Sequence, residues 1–333
     1  MTTVVCPDCH AEIEGAVLAC PVCSGLLFRE KLNALRETAM AAEARQDWSS
    51  ALTAWRDALE LLPQTASQRA LVLDRIHALS ERAGRHEPPS WVKSWSKRLG
   101  PFGAVLLILW KLKAIIIAVA AKGKLLLLGL TKLSTLASMG LSGLLYGGSY
   151  GWAFGLGLVV SIYIHEMGHV ASARRYGLRA SASVFIPFVG AFILLKQQPV
   201  SAGEDARISL AGPIWGAAGA LFTWLIFVWT QQPILGAIAH VAAMINLFNL
   251  MSVPPLDGSG AFRALNRGAR MLVTLLLVVL YALTRTGLVL VLAVCSGCRC
   301  FGKQSEVDLD KPVLSDYLTL AAGLNLLMLL TAQ

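Results

Sequence analysis

The chain is poor in charged residues. Only 15% of its 333 residues are Asp, Glu, Lys or Arg, whereas 56% are hydrophobic. Soluble domains typically carry about 25% charged and about 45–50% apolar residues. This shortage argues against a soluble globular protein for most of the chain and favours a lipid environment.

The charge that is present is unevenly distributed. Residues 1–100 contain 12 basic and 12 acidic residues, and residues 101–333 contain 17 basic and 8 acidic ones, so the net charge of +9 lies in the apolar part. The basic residues there flank apolar runs and form no dense basic face, so membrane lipid is expected as a partner and nucleic acid is not. The start, MTTVVCPDCH, lacks a charged segment followed by an apolar run, which argues against a secretory signal.

Four of the seven cysteines form two CxxC pairs near the start. Each pair can present two thiolates to one tetrahedral ion, and so short a segment needs the metal in order to fold. We therefore predict a zinc-ribbon-like module at residues 1–28. Its zinc would be structural, because four thiolates leave no open position for chemistry. The predicted ligands are Cys6, Cys9, Cys20 and Cys23.

A short helical domain is predicted at residues 29–85. Apolar spacings of three and four predict two helices within 30–62 and a third at 67–83. The pattern from Trp48 to Pro63 resembles the second helix of a tetratricopeptide repeat. Two interpretations remain open: a helical hairpin that caps the ribbon, or a repeat that binds a protein partner.

A linker and interfacial segment is predicted at 86–100, and a membrane-embedded domain at 101–333. Arginines after residue 173 place the end of one apolar stretch in the cytoplasm, which predicts a multi-pass protein with a cytoplasmic N-terminal domain. The fold class is thus mainly α, a polytopic helical bundle with a candidate re-entrant β-hairpin. The apolar stretches are 101–121, 125–145, 150–176, 206–229, 233–251, 271–294 (broken near Arg285) and 313–330.

An HExxH motif, His165–His169, lies in one of these stretches. On a helix, positions i and i+4 share a face about 5–6 Å apart, so the two imidazoles can chelate one zinc ion. Glu166, beside the first imidazole, can act as general base on water at the metal. Ionisable residues are expensive in lipid and usually functional.

A catalytic zinc needs a third protein ligand. No His, Asp or Glu occurs between His169 and Gly203, which excludes a thermolysin-like Glu downstream. Ser172 and Arg175 stand where the metzincin pattern requires Gly and His.

Asp257 is the next acidic residue at membrane depth. It follows Pro254 and Pro255, which cannot continue the preceding helix, and a new helix is predicted at 258–266. Irregular backbone is tolerated in the membrane where it faces a cavity or protein. Asp257 is therefore the candidate third ligand, with an ordinary N-cap Asp as the alternative.

Together, the HExxH motif and the later Asn-x-x-x-x-Pro-Pro-Leu-Asp-Gly at 249–258 resemble the site-2 protease family of intramembrane zinc metalloproteases. Leu-Ala-Gly-Pro at 210–213 also matches, and the resemblance covers about residues 100–300. It implies hydrolysis of peptide bonds in membrane-spanning protein substrates. The residues it implies at the centre are the zinc ligands His165, His169 and Asp257 and the general base Glu166.

The sequence departs from the family pattern at four positions. Ser252 stands where Pro is common, and Ser259 where Gly is common. Gly216 and Ala217 stand where an Asn often follows the Ala-Gly-Pro element. These departures leave the candidate ligands intact and affect the positioning of the substrate.

Two residues are candidates for binding the substrate. Residues 183–195 are β-branched and aromatic, which predicts a strand or hairpin dipping into the membrane; its edge near Gly190 could pair with an unwound substrate. A lipid-facing loop or a packed hairpin is the alternative. Asn249 could hold the substrate backbone or the developing oxyanion, or form a hydrogen bond between helices.

Two rival functions are a non-proteolytic membrane zinc-binding scaffold and a metal transporter. The complete HExxH and Asp257 disfavour the scaffold, and the lack of further intramembrane acids disfavours a transport path.

His240 is interpreted as a packed polar residue. The cluster of Cys295, Cys298 and Cys300 could bind metal, be acylated if cytoplasmic, or form a disulfide if external.

Overall fold

The computed structural model describes residues 3–14, 17–84, 133–180, 184–186, 190–192, 195–301 and 309–332. The predicted linker 86–100, the apolar stretch 101–121 and the first part of the stretch 125–145 lie outside the described residues.

The described residues are mainly helical, which confirms the predicted class. Two short antiparallel hairpins accompany eleven helices. The strands are β1 Thr3–Val5, β2 Glu12–Glu14, β3 Val184–Ile186 and β4 Gly190–Phe192. The helices are α1 Arg29–Ala44, α2 Trp48–Glu60, α3 Ser67–Gly84, α4 Leu133–Tyr150, α5 Trp152–Arg175, α6 Ala202–Thr230, α7 Pro233–Asn249, α8 Asp257–Arg263, α9 Arg267–Thr284, α10 Gly287–Cys300 and α11 Lys311–Leu330.

The chain divides into two compact units. Unit 1 consists of Met1–Arg85 together with two short later segments, Ala173–Arg179 and Gln197–Glu204. Unit 2 consists of His86–Ser172, Ala180–Lys196 and Asp205–Gln333.

Unit 1 contains the cysteine module and the helical domain. β1 pairs with β2, with Val4 opposite Ile13. α2 packs against both α1 and α3. Asp47 caps α2, because its side chain accepts a hydrogen bond from the Ser50 N–H, as is usual at a helix start. Small and aliphatic residues form the core of the three helices: Ala39, Ala42, Ala51, Leu52, Ala54, Ala58, Ile76, Leu79 and Ala83.

Unit 2 contains the apolar helices. Four of the described helices, α5, α6, α9 and α11, are long and apolar enough to cross a membrane, and α7 and α10 are shorter apolar helices. α7 packs against α11, and α9 packs against α10 and α11. The prediction of several membrane-spanning helices is thereby supported, by length and composition.

The predicted stretch 271–294 is not one interrupted span. It belongs to two helices, α9 and α10, which pack on each other and are separated at Arg285. Arg285 has a φ of 56°, a left-handed conformation that ends a helix. The Arg270 guanidinium donates to the carbonyl of Arg299 at 3.2 Å, so these two residues lie at the same end of the pair. Cys298 and Cys300, which flank Arg299, therefore share the end that carries Arg270.

The second hairpin occupies part of the stretch predicted as a re-entrant strand or hairpin. β3 pairs antiparallel with β4, with Val184 opposite Phe192 and Ile186 opposite Gly190. β3 also contacts α4. The placement of this hairpin in the membrane stays a prediction.

Candidate metal centre

The HExxH motif lies on α5, and the helix brings its two imidazoles together. The Nε2 atoms of His165 and His169 are 3.2 Å apart. The two rings meet edge to face, with centroids 4.9 Å apart. His165 and Glu166 are both buried, with 5% and 4% of their surfaces exposed. The helical spacing of the motif therefore produces the side-by-side imidazoles that the sequence predicts.

Asp257 converges on this pair from a distant part of the chain. α7 ends at Asn249, and α8 begins at Asp257 itself. The N-cap of α8 is Leu256, so Asp257 does not have the N-cap role considered as an alternative. Its carboxylate oxygens lie 3.1 Å from His165 Nε2 and 3.4 Å from His169 Nε2. Three candidate ligand groups thus share one small volume.

Close backbone contacts make this convergence possible. A Cβ on Gly168 would collide with the Ala211 carbonyl and lie 3.0 Å from Trp215 Cβ, so the absence of a side chain lets α5 approach α6. A Cβ on Gly212 would collide with the His169 ring and lie 2.8 Å from His165 Nε2. The Ala-Gly-Pro element therefore borders the centre and leaves space at the imidazole nitrogens.

α8 is also held against α6. A Cβ on Gly260 would lie 2.7 Å from the Cβ of Ser209, so the absence of a side chain at Gly260 lets α8 pack closely on the Ser209 side chain of α6. Two nitrogens of the Arg263 guanidinium, Nε and Nη2, donate to the same oxygen of Asp205, Oδ2, at 2.8 and 2.5 Å. These contacts fix the helix that begins with Asp257 on the helix that contains Gly212.

The outer nitrogen of each imidazole has a defined partner. His165 Nδ1 lies 2.8 Å from Asn246 Oδ1, and His169 Nδ1 lies 2.9 Å from the carbonyl oxygen of Ile208. Asn246 Nδ2 donates to the Ala242 carbonyl, so its Oδ1 is the acceptor for His165. A carbonyl oxygen can only accept, so both Nδ1 atoms carry a proton, and in the neutral form that binds a metal each Nε2 presents its lone pair.

This arrangement fits a cation. In the neutral rings, two Nε2 lone pairs face each other beside a carboxylate, and the buried Oδ2 of Asp257 has no hydrogen-bond donor among the described residues. Tetrahedral zinc with bonds of about 2.0–2.1 Å would separate its N and O donors by about 3.3–3.5 Å. The observed separations of 3.1, 3.2 and 3.4 Å are close to that spacing. Imidazole hydrogen-bonded through its other nitrogen is the usual form of a zinc-binding histidine.

Asn246 was missed by sequence reasoning, which selected Asn249 on the same helix. Asn246 is buried, at 2% exposure, and its amide orients His165. Asn249 is half-buried, and its amide makes no hydrogen bond to another described residue. Gly216 offered the signal, because a Cβ there would collide with the Asn246 side chain. The family's usual Asn is absent at that position, and the gap admits an Asn from the neighbouring helix.

The other predicted residues are placed as follows. The Glu166 carboxylate interacts electrostatically with His165, His169 and Asp257. Gly190 begins β4. Among the described residues, the group that converges on the centre consists of His165, His169 and Asp257, and the substrate contacts of Gly190 and Asn249 stay predictions.

The four N-terminal cysteines also converge. Cys6 and Cys23 have sulfur atoms 3.6 Å apart, as do Cys9 and Cys20. Tetrahedral zinc with bonds of about 2.3 Å would separate its sulfurs by about 3.8 Å, so the cluster fits the ion. A backbone N–H donated by Cys23 lowers the pKa of the Cys20 thiol to about 7, which favours the thiolate that metals bind.

The three late cysteines and His240 are arranged differently. Among the described residues, Cys295, Cys298 and Cys300 do not form a three-donor group. His240 Nδ1 lies 3.0 Å from Thr331 Oγ1, which agrees with the packed polar residue predicted from the sequence.

Comparison with known proteins identifies the segment that carries the motif. Residues 153–234 match Peptidase family M50. The family resemblance drawn from the motifs is therefore confirmed for this segment, which contains the HExxH motif and the Ala-Gly-Pro element. Asp257 lies beyond the matched residues, so its place in the centre rests on the distances given above.

Three relatives carry zinc metalloprotease names. Zinc metalloprotease MJ0392 of Methanocaldococcus jannaschii is 26% identical over 113 residues, 32% of each chain. Putative zinc metalloprotease Rip3 of Mycobacterium tuberculosis is 32% identical over 125 residues, 34% of this chain and 32% of the relative. Putative zinc metalloprotease sll0528 of Synechocystis is 28% identical over 151 residues, 42% and 39% of the two chains.

The similarity to these relatives is partial. The matched region covers 32% of the length of MJ0392, 32% of Rip3 and 39% of sll0528. No solved structure matches the chain.

Proposed function

We propose that the protein is an intramembrane zinc metalloprotease that hydrolyses peptide bonds of membrane-spanning proteins. One observation carries the proposal: the Nε2 lone pairs of His165 and His169 and the unpartnered Oδ2 of Asp257 converge within zinc-binding distance of one another. The family match of residues 153–234 and the names of the relatives support zinc as the ion and proteolysis as the reaction.

The proposed mechanism assigns one task to each residue. Zinc, when bound, polarises the substrate carbonyl and acidifies water. His165, His169 and Asp257 would hold the ion. Glu166 takes a proton from water and then delivers it to the amine that leaves, as a general base and acid. Its burial on the same helix turn keeps the carboxylate beside the two imidazoles.

We also propose that the end of the helical bundle that carries the centre faces the cytoplasm. Arg207 near the start of α6 pairs with Asp310 at the start of α11 at 2.6 Å, and Arg270 reaches Arg299. The helix ends that meet there are rich in arginine, as cytoplasmic ends are. Among the described residues of the bundle, Arg285 is the one basic residue near the opposite ends. The N-terminal domain, which precedes the bundle, is then cytoplasmic as well.

The substrate is proposed to bind as an extended strand. A peptide bond within a helix is shielded by the surrounding turns, so a membrane-spanning substrate must unwind. The β3–β4 hairpin offers backbone groups for strand addition, with Gly190 at the start of β4. Asn249, which makes no amide hydrogen bond to another described residue, is the proposed polar contact for the substrate.

A second, structural zinc is proposed at the four N-terminal cysteines. The sulfur separations of 3.6 Å support it. Because all four sulfurs would be used, this ion would stabilise unit 1 and take no part in the reaction.

The decisive experiment compares the wild type with Glu166→Gln in membranes that contain a single-span substrate. The substitution removes the proton acceptor and leaves the three candidate ligands in place. We expect the variant to retain two zinc ions per chain and to cleave nothing. Comparative membrane proteomics of the two strains would then reveal a single-span protein that accumulates uncleaved.

The control is His165→Ala, which should lose the membrane zinc together with the cleavage. Undiminished cleavage by Glu166→Gln would refute the assignment of the base. Zinc binding without cleavage of any membrane protein by the wild type would favour the scaffold, and zinc flux into vesicles would favour the transporter.

A further inference from the structure

The helical domain holds two segments of its own chain within unit 1. One is Ala173–Arg179, which contains the last residues of α5 and the loop after it; the other is Gln197–Glu204, which leads into α6. Ser49 at the start of α2 donates to the carbonyl of Arg174 at 2.7 Å. A Cβ on Gly177 would collide with the α2 backbone at Thr53, so this loop lies directly on the helix.

Arg56 of α2 joins both segments. Its Nε donates to the carbonyl of Tyr176 at 2.9 Å, and its Nη1 lies 3.5 Å from the carbonyl of Gln198. Its Nη2 forms an ion pair with the carboxylate of Glu204. The second oxygen of Glu204 accepts from Ser80 Oγ of α3 at 2.9 Å. One guanidinium thus contacts both segments, the first at Tyr176 and the second at Gln198 and Glu204.

The Arg56–Glu204 pair is almost completely buried, with side-chain exposures of 3% and 0%. Burying two charges is expensive, and an apolar pair of similar volume often gives the same or greater stability. Attaching the two segments to the helical domain does not by itself require a buried ion pair. The hydrogen bonds of a buried guanidinium are directional, so they contribute a defined geometry between the bonded groups as well as binding energy.

The first turns of α6 carry this geometry to the metal centre. Glu204 pairs with Arg56, and the next residue, Asp205, pairs with Arg263 of α8, the helix that begins with Asp257. One helical turn after Glu204, the carbonyl of Ile208 accepts from His169 Nδ1. The start of α6 therefore links the helical domain to two of the three candidate ligand groups.

We propose that Arg56 is a positioning residue of the metal centre: through Glu204 it fixes the first turns of α6, and with them the Ile208 carbonyl that orients the His169 imidazole. The segments that bind the helical domain, Ala173–Arg179 and Gln197–Glu204, then belong to the same chain. The inference rests on the proposed function, because it assumes a metal at the centre.

The test uses the full-length protein in lipid nanodiscs with Arg56→Met and Arg56→Lys. Methionine keeps most of the side-chain volume and removes all donors, and lysine keeps the charge and removes the planar fork. The matched control is Arg179→Ala, which breaks an exposed ion pair between the loop after α5 and Asp57 of the same helix α2. Either substitution would weaken the attachment of these segments to α2. Of the two arginines, only Arg56 contacts α6.

Two measurements report on position. The first is amide hydrogen exchange of residues 202–208 in protein that holds zinc at the four cysteines and lacks zinc at the membrane centre, where we expect faster exchange in Arg56→Met, a smaller increase in Arg56→Lys and none in Arg179→Ala. The second is the zinc affinity of the membrane centre, which should fall about tenfold in Arg56→Met, the low end of the range for losing an outer hydrogen-bond partner. Retention of the cysteine-bound zinc in the same sample excludes unfolding of unit 1.

The exchange measurement keeps the two proposals apart, because it needs neither zinc at the membrane centre nor cleavage. Wild-type exchange and zinc affinity in Arg56→Met would overturn the positioning role, whatever the wild type cleaves. Equal losses in Arg56→Met and Arg179→Ala would overturn it too, since the face would then serve as a general tether.

Discussion

The hydrogen bond from His165 to Asn246 gives the sharpest prediction about the centre. Replacing Asn246 by Ala removes the oxygen that lies 2.8 Å from His165 Nδ1. Both residues are buried, with exposures of 5% and 2%, so water cannot easily take the place of the amide. The imidazole is left with a buried, unsatisfied N–H and with freedom to rotate or change tautomer.

The magnitude follows from two independent considerations. Leaving a buried donor unsatisfied costs about 1–3 kcal/mol. At about 1.4 kcal/mol for each factor of ten, this corresponds to a loss in zinc affinity of about fivefold to 150-fold. Outer hydrogen-bond partners of metal-binding histidines are typically worth about 10-fold to 100-fold. We therefore expect Asn246→Ala to weaken zinc binding at the centre by about 10-fold to 100-fold.

The assay is a competition titration of the purified protein against a zinc chelator, with the two zinc ions followed separately. The cysteine-bound ion serves as the internal reference. It belongs to unit 1, whereas Asn246 lies on α7 in unit 2, so the substitution should not affect it. The matched control is Asn249→Ala, one turn further along the same helix, which should leave the zinc affinity unchanged.

Gly216→Ala tests the same contact from the other side. Its added Cβ would occupy the position of the Asn246 amide, so it should displace the amide from His165 and weaken zinc similarly. Because the two changes remove one interaction, the double variant should be little worse than either single variant. Wild-type affinity in Asn246→Ala, or equal losses in Asn246→Ala and Asn249→Ala, would refute this reasoning.

Three further predictions concern other parts of the molecule. Gly212→Ala should abolish zinc binding at the membrane centre, because its Cβ would collide with the imidazoles. The control is Gly219→Ala on the same helix, whose Cβ makes only ordinary contacts from 3.4 Å. Zinc content measured by mass spectrometry distinguishes the two variants. Cys9→Ser should lower the zinc content from two to one per chain and leave the membrane zinc in place, and loss of both ions would contradict two separate sites. Tyr317→Phe removes a buried hydroxyl that donates to the Leu250 carbonyl at 2.5 Å and should destabilise the protein by about 1 kcal/mol in detergent unfolding, with unchanged stability as the contrary result.

The sequence was most informative where geometry is local. The imidazoles of His165 and His169 are adjacent because four residues make about one helical turn, so their pairing needed no tertiary information. Asp257 could be chosen because acidic residues at membrane depth are rare. The two prolines before it end one helix, and the next helix begins at Asp257, as predicted to within one residue.

The sequence was least informative where helices pack. Asn246 and Asn249 lie one turn apart on α7, and only the packing of α7 against α5 and α6 decides which amide reaches His165. The buried pair of Arg56 and Glu204 joins residues far apart in the sequence, and no periodic pattern encodes such a contact. The break near Arg285 was predicted correctly, but the packing of α9 on α10 was not, because apolar residues continue on both sides of Arg285.

The glycine contacts between α5, α6 and α8 restrict how a peptide can reach the centre. Drawing α5 away from α6 would break the bond from His169 to Ile208, and drawing α8 away would break the pair of Asp205 and Arg263. Either motion would dismantle the ligand set before a substrate arrived. On the proposed function, the substrate would therefore reach the centre through elements that hold none of the three ligand groups.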